Sequence, residues 1–203
     1  PLSAPPLPDP GNSHVIVNAR VLDIARGQAS EPTTVTVRNG TIAAIGEDPR
    51  ETTLPVLDAG GRWLLPGFWD MHTHALQLSP QLQFPLMLAN GITGTRDMMD
   101  CPQATDPLIA CVADKRRWTA QAIAGQQVAP RFVQIASFYF EDPALTPDAA
   151  AARAHAYRAR GVDAFKVYNR LRAETYQRLA SEARQLHRPL VGHLPRAVPL
   201  EAA

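Results

Sequence analysis

Three places in this 203-residue sequence offer side chains that can do more than pack. The first is His72-Thr73-His74. In an extended strand alternate side chains share a face, so both imidazoles point the same way, about 6.7 Å apart along the chain. One ion with bonds of about 2.0–2.1 Å to each ring nitrogen can bridge them. Asp70 lies on that face too. By itself His-X-His is a short motif that also arises by accident or for structural reasons. The second place is Lys166, inside the apolar run Ala164-Phe165-Lys166-Val167-Tyr168. A lysine suits a buried strand poorly unless something pairs with it or changes its charge. The bland alternative is a tip that snorkels out of the sheet edge. The third is His193, which ends the run Leu190-Val191-Gly192-His193, 27 residues after Lys166. A lone histidine there is more often structural than a ligand. Three separate strand ends offering His/His, Lys and His make coincidence a poor account.

The elements that must position these residues follow from periodicity. Residues 14–23 (HVIVNARVLD) alternate as a strand, and 33–47 reads as a hairpin whose Asn39-Gly40 pair signals a type I′ turn. Residues 54–61 are another short strand, so 13–62 forms a small all-β portion, preceded by a proline-rich tail over 1–12. From Trp63 the period changes. Strand-like runs at 63–74, 91–98, 130–137, 163–168 and 189–194 alternate with helical stretches. The helix at 146–161 has Thr146 as N-cap, Pro147 in its first turn and Gly161 as terminator. That at 173–187 carries one apolar stripe through Tyr176, Leu179, Ala180, Ala183 and Leu186. Alternating β and α with short apolar strands means a parallel α/β sheet. No GxGxxG or GxxxxGK[ST] follows a strand, which disfavours a nucleotide-binding doubly wound sheet. A (β/α)8 barrel typically needs about 250 residues. The stretch 63–203 therefore holds about five of eight barrel strands, and the chain looks truncated.

Composition narrows the function classes. Lysine plus arginine total 20 against 19 aspartate plus glutamate, a net charge of +1, which argues against a nucleic-acid binder. No apolar run is long enough for a membrane span. Cys101 and Cys111 are too few for a disulfide framework and form no CxxC pair. The tail PLSAPPLPDPG reads equally as the stub of a removed leader or as an arbitrary boundary, and a periplasmic or secreted location is preferred over the cytoplasm. Lys115-Arg116-Arg117 is expected on a solvated helix face, His155 mid-helix is exposed or packed, and His187 suits a helix C-terminus. Arg96 and Asp97 close the second barrel strand, where an ion pair is the simplest account. The segment SFYFED (137–142) could wall a substrate site or be aromatic loop packing.

The ordered series VIVNARVLD, VRNGTIAAIGE, LDAGGRWLLPGFWDMHTH, LANGITGTRDM, FKVY and VGHLP resembles the metal-dependent amidohydrolases, in particular the imidazolonepropionase-like and prolidase-like (Xaa-Pro dipeptidase) branch. The resemblance runs from about His14 to the last residue. It implies a (β/α)8 barrel with a small β-sandwich built from both chain ends. It implies His72 and His74 as ligands of the more buried metal, Lys166 as a carboxylated lysine bridging two metals, and His193 as a ligand of the second. Lys166 and His193 are thereby the catalytic candidates, and Tyr168 is a plausible substrate contact. A sixth-strand histidine and an eighth-strand aspartate, which the family also uses, have no counterpart in this sequence.

The implied chemistry suits the residues. Two divalent ions about 3.5–4 Å apart lower the pKa of a bridging water towards about 7 and polarise the carbonyl under attack. Neutral imidazoles suit zinc. A carbamate would replace the buried cation of Lys166 with an anionic bridge. The expected activity is hydrolysis of amide-type C–N bonds, with dipeptides or related small amides as preferred substrates. Two alternatives stand beside it: a mononuclear deaminase of a nucleobase-like ring, and a non-catalytic truncated scaffold that binds metal weakly. Open strand edges predict self-association.

Overall fold

The computed structural model describes residues 11–47, 52–103 and 105–202. Most of the expected proline-rich tail lies outside them. The chain divides into two compact units, Pro1–Pro66 and Gly67–Ala203.

The first unit is organised on β1 (His14–Asp23). On one side β1 pairs antiparallel with β2 (Gln28–Ala29) and β3 (Thr33–Arg38); on the other, β5 (Val56–Asp58) and β6 (Trp63–Leu64) run parallel to it. The hairpin from β3 to β4 (Thr41–Ile45) turns at Asn39 and Gly40, whose φ values of 50° and 73° are those a type I′ turn demands. The run 63–74 is not one strand, as its apolar content suggests, but two. Pro66 offers no amide to a ladder, and Gly67 sits so close to Thr93 that a Cβ would lie 2.0 Å from its Oγ1. Trp63 and Leu64 stay with the first unit, and the second unit starts its own strand.

That strand, β7 (Phe68–Thr73), pairs parallel with β8 (Ile92–Asp97), and β8 with β9 (Arg131–Ile135). A parallel bridge from Ala136 to Ala164 carries the order on to β10 (Phe165–Val167), which pairs parallel with β11 (Leu190–Gly192). The successive crossovers are α1 (Ser79–Ala89), α2 (Val112–Ile123), α3 (Pro147–Arg160) and α4 (Ala173–Gln185). α3 starts where Thr146 Oγ1 accepts the Ala149 amide, and it ends at Gly161 in the left-handed region. One apolar core joins Phe140, Tyr157, Phe165, Val167, Leu179 and Leu186; a second joins Phe84, Trp118, Phe132 and Ile135. Each strand end thus aims at one rim, and short strands leave their last residues outside the ladder.

Candidate metal centre

His72 and His74 stand at the end of β7. Their Nε2 atoms lie 3.1 Å apart, and the rings are nearly parallel, 16° between planes. Two nitrogens on one tetrahedral ion at zinc bond lengths would lie about 3.3 Å apart, so the pair is already close to a chelating geometry. Asp70 Oδ1 accepts the His72 amide at 3.0 Å and so fixes the strand before the pair. The rings border an open cleft of about 460 Å3, lined on its other side by Gln83, Leu86 and Met87 of α1.

Both imidazoles titrate below the ordinary histidine range. Desolvation is the main cause for each. The charges of Lys166, Arg96 and His193 add to it at His72; at His74 Asp97 opposes it, and His72 and Lys166 reinforce it. Neutral imidazole is the form that binds a cation.

Lys166 lies at the centre of β10 and is 1% exposed. Its Nζ has no hydrogen-bond partner. Burial, then the Arg96 guanidinium, pulls the amine below its ordinary value, and Asp97 only partly opposes them. The snorkelling alternative is therefore out, and what remains is a buried amine that needs a partner.

His193 follows β11. Its amide donates to Val167 O at 3.0 Å, and its ring packs on Tyr168 with centroids 4.3 Å apart. Tyr168 is half-buried and also meets Tyr139, whose ring packs on Phe138, so the aromatic residues of SFYFED cluster beside Tyr168. His193 opens on a separate, smaller cleft with Tyr176 and Leu190. It reaches His72 by charge and not by contact, and the three histidines do not converge within 4.8 Å of one another. Ligands of two ions about 3.5–4 Å apart need not converge that closely.

Two expectations are corrected. Lys115 is not on a solvated face; it is wholly buried, and its Nζ lies 2.7 Å from Asp97 Oδ1. Only Arg116 and Arg117 of that run are exposed. Asp97 accordingly does not pair with Arg96, whose Nε donates to Met71 O at 2.8 Å. Cys101 and Cys111, too few for a framework, form a single disulfide. A cluster of buried Asp100, Cys101 and Cys111 lies within metal-ligand distance, but its sulfurs are bonded to each other and Arg160 Nη2 holds Asp100 Oδ2 at 2.6 Å. His155, largely exposed, bonds Glu182 at 2.7 Å, and His187 takes a left-handed φ of 51° beyond α4. The sequence signal for Asp97 and Lys115 was an acid at a strand end and a lysine among α2's inward positions.

Comparison with solved structures decides the fold. A bottromycin amidohydrolase superposes with a TM-score of 0.68 at 24% identity, over 94% of this chain and 40% of its own. A Xaa-Pro dipeptidase with bound methionine in the active site gives a TM-score of 0.63 at 15% identity, over 89% of this chain and 56% of its own. The chain carries the amidohydrolase fold. In sequence, an adenine deaminase of Listeria innocua is 33% identical over 81 residues, 39% of this chain and 14% of the deaminase. No protein-family model matches. The chain thus spans about a seventh of that curated relative and roughly half of the amidohydrolase-fold structures. Within that fold, His72 and Lys166 are each the penultimate residue of a parallel strand, and His74 and His193 each closely follow one, at the C-terminal side where barrel enzymes place their chemistry.

Proposed function

We propose that this chain supplies part of the active site of a metal-dependent hydrolase of amide-type C–N bonds, with dipeptides or related small amides as substrates. The observation that carries this is the Lys166 amine: buried, without a hydrogen-bond partner and held toward its neutral form. The donor set fits a divalent metal. His72 and His74 would hold one ion; Lys166, as a carbamate, and His193 would hold the second. When bound, two such ions, zinc by the imidazole donors, would supply an acidified water and polarise the carbonyl under attack. The neutral amine of Lys166 adds carbon dioxide and releases one proton, which converts an unpaired buried base into an anionic oxygen donor. Tyr168 braces the His193 ring and is the candidate substrate contact.

The test is metal analysis of the 203-residue chain prepared with zinc and 13C-bicarbonate. A carbamate carbon signal and two bound zinc ions per chain are expected, and Lys166→Ala is expected to lose the signal and the two-ion occupancy. Unchanged zinc in Lys166→Ala favours the one-metal deaminase reading, which the likeness to an adenine deaminase supports. Absence of zinc from the unsubstituted chain favours a non-catalytic scaffold.

The disulfide supports a periplasmic or secreted location, since such bonds persist in oxidising compartments. Among the described residues β7 and β11 each have one unpaired edge, and Phe68, Trp69 and Met71 are exposed, which supports self-association. Among the described residues no helix is long and apolar enough to cross a membrane.

A further inference from the structure

Asp97 is fully buried, and its carboxylate faces two ways. Oδ2 accepts the Ala75 amide at 2.7 Å and the Thr73 hydroxyl at 3.2 Å. Thr73 and Ala75 are the two neighbours of His74. Oδ1 accepts Lys115 Nζ at 2.7 Å and the Met99 amide at 3.1 Å. Lys115 also donates to Met99 O. One side chain therefore ties the end of β7 on both flanks of a candidate ligand to the first turns of α2.

The backbone does not do this by itself. The β7–β8 register is irregular between Asp70 and Thr73, so the ladder is interrupted across the His72 stretch. Past Thr73 the strand is over, and the Ala75 amide looks to Asp97 for its acceptor. The far end of the tie is fixed in turn. Asp100 Oδ1 accepts the Val112 amide at 2.7 Å, and the Cys101–Cys111 disulfide closes the loop whose two bases carry Asp97 and Lys115.

A buried ion pair is a weak route to stability, because desolvation of two charges offsets most of their attraction and an apolar pair of similar size often serves as well. What an apolar pair cannot supply is an acceptor oxygen that both flanks of His74 share. From this we infer that Asp97 is a positioning residue for His74, with Lys115 as the cation that keeps its carboxylate in place. The inference rests on the metal-centre reading above and deepens it.

The experiment compares the full chain with Asp97→Asn and with Asp97→Asn/Lys115→Met. Cobalt(II) affinity is measured by titration, thermal stability by circular dichroism, and amide exchange at Ala75 by NMR. Asp97→Asn is expected to lower cobalt affinity ten- to a hundredfold, the usual cost of losing a residue that orients a ligand. It should speed Ala75 exchange at least tenfold while Phe165 and Leu179 exchange as before. The double variant removes the stranded Lys115 cation. It is expected to recover thermal stability but not cobalt affinity or Ala75 protection. Recovery of all three would mean that the pair only supports the fold, and would overturn the inference. So would failure of the double variant to fold, or unchanged Ala75 exchange in Asp97→Asn. If the unsubstituted chain takes up no cobalt, the metal-centre reading fails separately. Positioning is then decided by the ring 15N signals of His72 and His74: altered in Asp97→Asn if it holds, unaltered if it does not.

Discussion

Replacing Gly192 with alanine tests how tightly β10 and β11 close the site. Gly192 has φ of +115°, and a Cβ there would lie 2.3 Å from Val167 O, 2.9 Å from Lys166 Cδ and 3.1 Å from Lys166 Cε. The Val167 carbonyl also accepts the His193 amide, so it cannot retreat without loosening that residue. Two costs combine. A non-glycine residue in a sparsely populated positive-φ conformation costs about 1–3 kcal/mol. Forcing an extra methyl into a packed contact costs about 1–3 kcal/mol more. A total near 3 kcal/mol lowers the melting temperature by about 6–12 °C in a chain of this size. Gly125→Ala is the control: φ is +70°, but nothing lies within 4 Å of its Cβ position. Only the conformational cost applies there, about 1–2 kcal/mol. Thermal melts of both variants, followed by circular dichroism, give the comparison. Equal melting-temperature losses in Gly192→Ala and Gly125→Ala would refute the reasoning, because the contact with the Lys166 strand would then contribute nothing.

Three further outcomes are expected. Lys166→Met removes a buried amine with no partner and should raise metal-free stability by about 1–3 kcal/mol in urea denaturation, while uptake of 13C-bicarbonate at this position disappears. Cys101→Ser or reduction with a dithiol opens a cross-link of sequence separation 10, and by loop-closure entropy should cost about 2–3 kcal/mol in the same assay. Glu182, buried between Arg178 and His155, titrates below its ordinary 4.5, chiefly through the Arg178 hydrogen bond. Its folded value lies below its unfolded one, so its stabilisation is full above the ordinary value and fades as pH falls through the lowered one. The melting-temperature gap between wild type and Glu182→Gln should therefore be widest near neutrality and close in acid.

Much of this was legible in the residues. The Asn39-Gly40 turn and the Thr146 and Gly161 caps depend on local chemistry, and they sit where that chemistry puts them. Lys166 stood out because a charge inside an apolar strand contradicts its surroundings. What could not be read depended on partners distant in sequence. Lys115 looks like one member of a basic run until Asp97 is placed beside it. The cysteines' ten-residue separation says nothing of a pairing, whereas the fold brings their Cα atoms to 4.7 Å. α1 is hard to see in the sequence because Pro80 and Pro85 interrupt it and no apolar stripe marks it; Pro80 falls in the first turn, where a missing amide matters little. The split at Pro66 and Gly67 is hidden in the sequence because the run stays apolar on both sides.

The His72–His74 pair comes from β7 and Lys166 from β10, with two whole strands between them. On a flat sheet, neighbours about 4.8 Å apart would leave those strands about 14 Å from each other. Yet Lys166 and His193 both act on the His72 ring through their charges. Curling of the sheet, as in a barrel, is what shortens such a span. Any event that unrolls the strands, whether thermal loosening or stacking of edges in an aggregate, should scatter the donor set before a single helix melts.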